Sequence, residues 1–343
     1  SGDRSRFIGY DDIYVQETHI YSYSYNTSFD GEGAITSAID YVVTEDLPQL
    51  YVLEGHGEAE LPDNFSQQIE KANIEVNTLS LLTVDEIPEE ADCVLIYAPA
   101  SDISQEEKEM LASYTQSGGK LLVMAGPTED GVLENLYSLL SDYGVETCQG
   151  IVVEGNRERY TFQPYILLPE MASDAITDSL IEENYYPNMP ISQGLIMDNA
   201  SSAVTALMTT SDAAFSKAAG FDLDTYEKEE GDTDGPFAVA VSVDCGSEGR
   251  MVWFSSSSFL EDMYNAWSSG SNSDLAMNAL SSLIGEREAM AIRSKSLNYN
   301  YLSISDSTAS LLKVLMIGVF PLAYLGVGIG VILKRRGEQS EAC

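Results

Sequence analysis

The segment Cys93 to Met124, CVLIYAPASDISQEEKEMLASYTQSGGKLLVM, indicates the fold class of this chain. Its two ends, Cys93 to Tyr97 and Leu121 to Met124, are continuous apolar runs, as expected of parallel strands that helices cover on both faces. Between them, Ser104 and Glu107 form a capping box that starts a helix, and a Gly-Gly pair ends it. The segment therefore predicts a strand-helix-strand unit.

The same alternation of short apolar runs and amphipathic stretches extends on both sides of this unit. Leu50 to Leu53 and Ile74 to Leu79 predict strands, and a helix is expected around Asn64 to Ala72 between them. A further helix is expected to bury its side from Val132 to Tyr143. We therefore predict an α/β fold with a doubly wound, mostly parallel, flavodoxin-like sheet.

Composition shifts divide the chain into five predicted segments. They are an N-terminal strand segment at 1–30 that ends a domain cut by the start of the chain, an α/β domain at 31–155, its continuation with inserted loops and a returning hairpin, helix and strand at 156–300, a transmembrane helix at 314–333, and a tail at 334–343. The chain begins Ser1-Gly2-Asp3 without an export signal, so we expect a fragment of a longer precursor.

The chain is strongly acidic. Its 343 residues include 17 Lys plus Arg and 55 Asp plus Glu, a formal charge of -38. Without a basic patch to neutralise phosphates, nucleic acid is not an expected partner, and the acidity would instead favour solubility or a basic partner. The most acidic stretch, Asp222 to Gly235, is predicted to be a flexible solvated loop.

One segment near the C-terminus predicts a membrane crossing. Val314 to Leu333 runs 20 residues without a charge, long enough for one helical span. Lys334, Arg335 and Arg336 follow at once, which places the short tail in the cytoplasm and the large domain outside the cell membrane. Pro321 is expected to kink the helix. Gly326 and Gly330 either let another helix approach or reflect the general glycine enrichment of membrane helices.

The most conspicuous candidate site is the turn Gly55-His56-Gly57-Glu58, directly after the strand Leu50 to Leu53. In open α/β sheets, ligands bind at the carboxyl ends of strands, and two glycines let the backbone approach a ligand. His56 and Glu58 could then act as an acid/base or metal pair. Alternatively, the glycines only shape the turn and His56 makes a local hydrogen bond.

Other chemistry has weaker support. The chain has no nucleophile elbow, Walker A loop or dinucleotide fingerprint, and the serines Ser255 to Ser258 favour a turn. No cofactor and no metal site are expected. A disulfide between Cys148 and Cys245 is neither predicted nor excluded. Tyr21, Tyr23 and Tyr25 alternate and would share one face of a strand, where they could stack on sugars or pack across strands.

Several motifs in order resemble one family. They are SGDRSRFIGYDDIY at 1–14, EGAITSAIDYV at 32–42, LYVLEGHGE at 50–58, the segment 87–124 and GPFAVAV at 235–241. Together they resemble the Gld-type auxiliary proteins of ABC transporters, relatives of a gliding-motility component with an intraflagellar-transport-like domain. The resemblance covers nearly the whole chain. It implies an extracytoplasmic domain related in fold to the class I glutamine amidotransferases but without their active site, beside a separate permease and ATPase.

The leading hypothesis is therefore a membrane-anchored, non-catalytic auxiliary subunit of an ABC-type, gliding-motility-like transport system. Two alternatives remain open at this point. The first is an anchored hydrolase or amidotransferase-like enzyme that uses the GHGE turn. The second is a surface glycan-binding module that uses the alternating tyrosines.

Overall fold

The computed structural model describes residues 4–19, 24–44, 46–129, 131–197, 200–285, 295–296, 313–322 and 324–330. The chain forms two compact units, Ser1–Lys295 and Ser296–Cys343, which are described separately.

The first unit contains eight described α-helices and eighteen described strands, several of the strands only two residues long. It also contains three described 3-10 helices, Arg157–Arg159, Gly220–Asp222 and Ser258–Leu260. The α-helices are α1 Tyr10–Ile13, α2 Gly31–Val43, α3 Asp63–Lys71, α4 Gln105–Gln116, α5 Glu134–Ser141, α6 Asp178–Glu182, α7 Asp262–Trp267 and α8 Ser271–Ile284. The strands are β1 Tyr14–His19, β2 Ser24–Phe29, β3 Gln49–Leu53, β4 Glu75–Leu79, β5 Cys93–Tyr97, β6 Lys120–Met124, β7 Glu146–Thr147, β8 Ile151–Val153, β9 Ile166–Leu167, β10 Glu170–Met171, β11 Met189–Pro190, β12 Leu195–Ile196, β13 Val204–Thr209, β14 Phe215–Lys217, β15 Thr233–Asp234, β16 Ala238–Gly246, β17 Gly249–Phe254 and β18 Lys295–Ser296, the last of which reaches the boundary between the units.

A large mixed sheet organises the first unit. Its strands lie in the order β10-β13-β16-β17-β6-β5-β3-β4, with β12 and β7 attached beside β16. The strands from β17 to β4 are parallel. Their cores are continuous apolar runs because both faces are covered, and all five residues of β5 are buried. The α/β fold with a parallel central sheet is therefore confirmed.

The other part of the sheet is antiparallel. The predicted hairpin is present as β16 and β17. β17 also aligns parallel to β6, β16 pairs antiparallel with β17, and β13 pairs antiparallel with β16. β16 therefore runs against the parallel strands, whereas β13 runs in the same direction as they do. The doubly wound prediction therefore describes only the part of the sheet from β17 to β4.

Two hydrophobic cores lie on opposite faces of the sheet. Along β5, Leu95 packs into the core that holds Phe65 of α3 and Leu280 of α8. Its neighbour Ile96 packs into the core that holds Leu111 of α4 and Leu136 of α5. Side chains alternate between the two cores because successive strand residues point to opposite faces. The first unit is therefore built as helix, sheet and helix layers.

The predicted helix between β5 and β6 is confirmed with its start signal. Ser104 Oγ accepts a hydrogen bond from the Glu107 main-chain N–H at 3.2 Å, and the Glu107 carboxylate accepts one from the Ser104 N–H at 2.8 Å. The predicted range of α5 is too long at both ends, since Val132, Leu133 and Tyr143 lie outside Glu134–Ser141. Val132 is also 58% exposed and not buried as predicted.

The residues before β3 form a smaller layer. Helix α2 contacts α1 and α3, and β1 pairs antiparallel with β2. Of the alternating tyrosines, Tyr25 lies in β2, whereas Tyr21 and Tyr23 fall outside the described residues. The tyrosine face and the strand near Met290 to Ile292 therefore stay predictions.

The second unit contains the predicted membrane segment, most of which the structure describes. Val314–Val319 is π-helical, and the Phe320 N–H donates to the Leu315 carbonyl. This π-helical turn, which is wider than an α-helical turn, lies directly before Pro321. Proline has no N–H and cannot donate a regular helical hydrogen bond. Within the residues that the structure describes, no helix has the length and apolar character needed to cross a membrane. Ala323, residues 331–333 and the basic residues Lys334, Arg335 and Arg336 lie outside the described ranges.

Gly326 and Gly330 are exposed in the described part of this segment. No atom lies within 4 Å of a Cβ built on either residue. Their use in helix packing stays a prediction.

Candidate functional site

The GHGE turn begins one residue after β3, at the carboxyl edge of the parallel strands. Gly55 and Gly57 have φ angles of +126° and +73°, which residues with a Cβ rarely adopt. The positive φ angles at Gly55 and Gly57 change the chain direction on both sides of His56 and turn its side chain inward. His56 is therefore only 6% exposed. The glycines are therefore needed for the turn itself.

His56 lies between two carboxylates. Its Nδ1 is 3.1 Å from Glu58 Oε1, and its Nε2 is 3.1 Å from Glu107 Oε2. The side chains of all three residues are at most 7% exposed. A carboxylate only accepts hydrogen bonds, so both contacts can be hydrogen bonds only when both ring nitrogens carry hydrogen. A protonated His56 is thus fully partnered within the protein.

Glu107 connects this cluster to the start of α4. Its Oε2 accepts from the Ser104 N–H and contacts His56. Burial opposes ionisation, but the hydrogen bonds from the Ser104 main chain, from His56 and from the Ser104 side chain together hold the pKa of the Glu107 carboxyl below its usual value. The same carboxylate therefore caps a helix and fixes His56.

The GHGE turn also lies at the switch point of the sheet. From β3 the chain adds β4 on one side and β5 on the other, and open α/β sheets bind ligands in the crevice that this reversal creates. Here the His56 carbonyl accepts from the Ala100 N–H at 3.1 Å, the Ser101 N–H at 2.9 Å and Ser101 Oγ at 3.0 Å. The loops after β3 and β5 are therefore bonded directly to each other across the crevice.

The strand ends at this edge offer no evident nucleophile. Ala98 follows β5 with a φ of +48°, a strained geometry for a residue with a side chain, but its side chain is a methyl group. Ser255 and Ser256 follow β17 and are fully buried, and their hydroxyls donate to the carbonyls of Val239 and Pro190. The predicted turn role of these serines agrees with this geometry.

Two open clefts occur elsewhere in the first unit. One, of about 370 Å³, is lined by Arg6, Asp11, Asp12, Tyr14, Gln67, Glu70 and Lys71. The other, of about 260 Å³, is lined by Arg159, Glu170, Thr209, Thr210, Ser211 and Asp212. Neither borders the GHGE turn. In the part of the chain that the structure describes, no group of three or more His, Cys, Asp or Glu could hold a metal ion.

The acidic stretch 222–235 differs from its prediction as a flexible loop. Most of its residues are exposed, but the loop is fastened to Lys217 of β14, whose side chain is 1% exposed. Lys217 Nζ pairs with Glu229, lies 3.1 Å from Asp232 Oδ2 and donates to the Glu227 carbonyl at 3.0 Å. Because a buried ammonium needs partners, this lysine orders the loop.

In this second cluster, Lys217 and Asp232 each stabilise the charged form of the other. Hydrogen bonding to Glu229 and Asp232 outweighs burial and raises the pKa of Lys217. Burial acts against ionisation of Asp232, but hydrogen bonds from the Glu229 and Ala218 main chain and from Lys217 lower its pKa. Lys217 and Asp232 therefore both stay charged near neutral pH.

The cysteines at positions 148 and 245 are free thiols. Cys148 belongs to the core on one face of the sheet, whereas Cys245 packs against the core on the other face. The sheet therefore separates them, and the disulfide left open by the sequence is not formed.

Sequence reasoning missed two residues of these clusters. Glu107 was identified only as a helix cap, although it follows β5, the strand beside β3. Adjacent parallel strands bring their following loops together, and that signal could have paired Glu107 with His56. Lys217 was missed altogether, because a lone lysine before an acidic stretch is usually solvent-exposed.

Comparisons with known proteins agree with this architecture. The mmIFT52 N-terminal domain is similar in fold, with a TM-score of 0.50 and 18% identity over 70% of this chain and 98% of that chain. A putative GMP synthase protein from Thermoplasma acidophilum (TM-score 0.38, 10% identity, 70% of this chain and 96% of that chain) and a glutamine amidotransferase from Thermotoga maritima (TM-score 0.37, 8% identity, 69% and 100%) match more weakly. These two matches carry no argument about function.

No curated protein matches the chain. A family profile described as an ABC-type uncharacterized transport system matches residues 47–279, which is more than half of the chain. The matched region starts just before β3 and ends within α8, so it includes the parallel strands, the GHGE turn and the Lys217 cluster. The chain therefore belongs to this family, which indicates an auxiliary component of an ABC-type transport system.

Proposed function

We propose that the chain is a non-catalytic, membrane-anchored subunit that acts outside the cell membrane beside a separate permease and ATPase. The observation that carries the non-catalytic part is the burial of the His56 side chain at the point where the loops after β3 and β5 are hydrogen-bonded to each other. The one histidine there is buried between Glu58 and Glu107. Its carbonyl holds the loop after β5 in place. A substrate would have to break these bonds before it met any reactive group.

The anchored, outward-facing topology rests on the sequence of the second unit. The 20 uncharged residues from Val314 to Leu333 and the basic residues Lys334 to Arg336 support it. Large apolar side chains in the described part of this segment, including Met316 and Ile317, are 65% and 77% exposed, which suits a lipid environment. The closer relation to gliding-motility systems rests on the sequence resemblance alone.

Purification from detergent tests the assignment to a transport complex. The tagged chain, expressed at its native level and solubilised from membranes, should carry a multispanning permease and an ATPase in fixed ratio. The control is a truncation before Val314, which should lose the permease if the C-terminal segment provides the anchor. Recovery of the full chain without either protein would contradict the proposal.

Thiol labelling tests the topology. Leu82 is 66% exposed, so a Leu82→Cys variant gives a reporter on the large domain, and Cys343 reports on the tail. A membrane-impermeant maleimide added to intact cells should label the thiol introduced at position 82, whereas Cys343 should react only after lysis. The reverse pattern, or equal labelling of both in intact cells, would contradict the predicted orientation.

A further inference from the structure

Helix α2 carries its large apolar side chains on the side away from the protein. Ile35, Ile39 and Val43 are 51%, 57% and 61% exposed, whereas Ala34 and Ala38 are 8% exposed. A helix on a free surface normally buries its large aliphatic residues and exposes small or polar ones. Helical spacing alone predicts that Ala34, Ile35, Ala38, Ile39 and Val42 share one face of this helix. The structure corrects this prediction for the two isoleucines.

Polar contacts on the other sides of α2 fix its rotation. The Asn73 side-chain amide donates to the Ser37 carbonyl at 2.9 Å and to Asp40 Oδ2 at 3.0 Å. The guanidinium groups of Arg4 and Arg6 lie 5.8 and 5.6 Å from the centre of the Tyr41 ring. Turning the helix to bury the isoleucines would break these contacts, so the exposed aliphatic residues are a fixed property of the fold.

The exposed side chains form one continuous seam. Glu32, Ile35, Ile39 and Val43 are the exposed residues of α2, and their spacing of three, four and four residues keeps them on one face. The apolar part of the seam is about 12 Å long at 1.5 Å per residue. Glu32 lies at its N-terminal end, and Asp46, also exposed, follows just beyond the helix.

We propose that this seam, Glu32 to Val43 of α2, docks an amphipathic helix of another protein whose apolar stripe is bracketed by basic residues. Apolar residues at spacings of three and four are the pattern by which helices pack along a shared seam. The acidic groups at both ends select for Lys or Arg on the partner. The proposal stands on the geometry of α2 and not on the transport function, so either can fail alone.

Charge argues against two other occupants. If two copies of α2 paired with each other, parallel pairing would oppose Glu32 to Glu32, and antiparallel pairing would bring Glu32 near Asp46. Both arrangements oppose like charges in a chain that carries a formal charge of -38. The same net charge opposes docking on anionic lipid headgroups. A basic helix of another protein is not repelled by Glu32, by Asp46 or by the negative net charge of the chain.

Site-specific photo-cross-linking tests the occupant. A benzophenone amino acid replaces Ile39 in the full chain in native cells. The matched control is the same replacement at Val132, which is 58% exposed on another part of the first unit. We expect a cross-link from position 39 alone, to a segment of a second protein that has apolar residues at helical spacing with Lys or Arg at its ends.

Every other result would overturn the proposal. These results are cross-links at equal yield from positions 39 and 132, a link to a second copy, a link to residues 286–343 of the same chain, an acidic or extended partner segment, or no link at position 39.

Binding of the identified segment, made as a peptide, then tests the chemistry of the seam. The double variant Ile35→Glu, Ile39→Glu should weaken binding at least tenfold in titration calorimetry with an unchanged melting temperature. Glu32→Lys should also weaken it, and the loss should shrink at high salt because the contact is exposed. Val132→Glu should bind like the parent chain. Equal binding by the parent chain and the double variant would overturn the proposal.

Discussion

The GHGE turn and the outer face of α2 differ in which side chains they bury and which they expose. At the turn, three ionisable side chains, His56, Glu58 and Glu107, are buried and bound to one another. On α2, three large aliphatic side chains are more than half exposed. An enzyme would leave the first set accessible, and an isolated surface would bury the second. The difference supports the proposal that this domain works through contact with other proteins and not through chemistry on a bound substrate.

The largest expected effect is at the centre of the buried cluster. His56→Ala removes the imidazole that contacts both buried carboxylates, and leaving a buried polar group without its hydrogen-bond partner typically costs about 1–3 kcal/mol. Chemical denaturation of the purified chain should show a loss of this order. His56→Gln should restore part of it, because an amide can donate to one carboxylate. A loss below about 1 kcal/mol in His56→Ala would show that the cluster is not structural, and the enzyme alternative would regain support.

The next effect concerns the second buried charge. Lys217→Met leaves Asp232 buried without its counter-charge, so the loop at 222–235 should detach and be cut much faster by a protease that cleaves after acidic residues. Lys228→Met is the matched control, since Lys228 pairs with Asp234 in the same loop but is 44% exposed, and exposed pairs contribute about 0–1 kcal/mol. Equal cleavage of the two variants would mean that Lys217 does not hold the loop.

A smaller effect is expected in the pH dependence of stability. The folded-state pKa of Glu107 lies below the ordinary value of 4.5. Its ionised form therefore contributes stability that is fully present above that value and is lost as the pH falls through the folded-state pKa. The stability gap between the parent chain and Glu107→Gln should be widest at neutral pH and should narrow as the pH falls below 4.5.

Glu109→Gln is the matched control for this experiment, because Glu109 lies on α4 and is exposed. Its melting curve should run parallel to that of the parent chain at every pH. A Glu107→Gln gap that stays constant down to strongly acidic pH would contradict the hydrogen-bonded, ionised state of Glu107.

The smallest expected effect on stability is on α2. Ile35→Glu together with Ile39→Glu should change the free energy of unfolding by no more than about 0.5 kcal/mol, as is usual for exposed positions. Denaturant titration of the two chains measures this. A loss of several kcal/mol would show that the isoleucines are buried in solution, and the contrast with the GHGE cluster would disappear.

The parallel part of the fold was predictable because its signals are local. The apolar run Cys93 to Tyr97 is the observed β5, and the Ser104 and Glu107 capping box starts α4 as predicted. The antiparallel part was not predictable, because the direction of β16 and β13 is set by where β17 enters the sheet. That entry depends on contacts between residues 250–254 and 120–124, which sequence periodicity does not encode.

The position of the candidate site in the fold was predictable, but the burial of its side chains was not. A strand followed by two glycines places His56 at the carboxyl edge of the sheet. Whether His56 faces a cleft or the interior depends on Glu107, which is 51 residues away in the chain. The orientation of α2 was not predicted for a similar reason. Ile35 and Ala34 fit the same helical stripe, and the contacts of Asn73, Arg4 and Arg6 with the helix decide which of the two turns inward.

Hydrogen exchange at the main-chain amides of Ala100 and Ser101 tests the central claim most directly. These two amides donate to the His56 carbonyl and join the loops after β3 and β5. If this contact is a permanent part of the fold, both amides should exchange as slowly as that of Leu95 in the middle of β5. Exchange at the rate of an unprotected amide would show that the two loops separate, and the account of a non-catalytic domain would be contradicted.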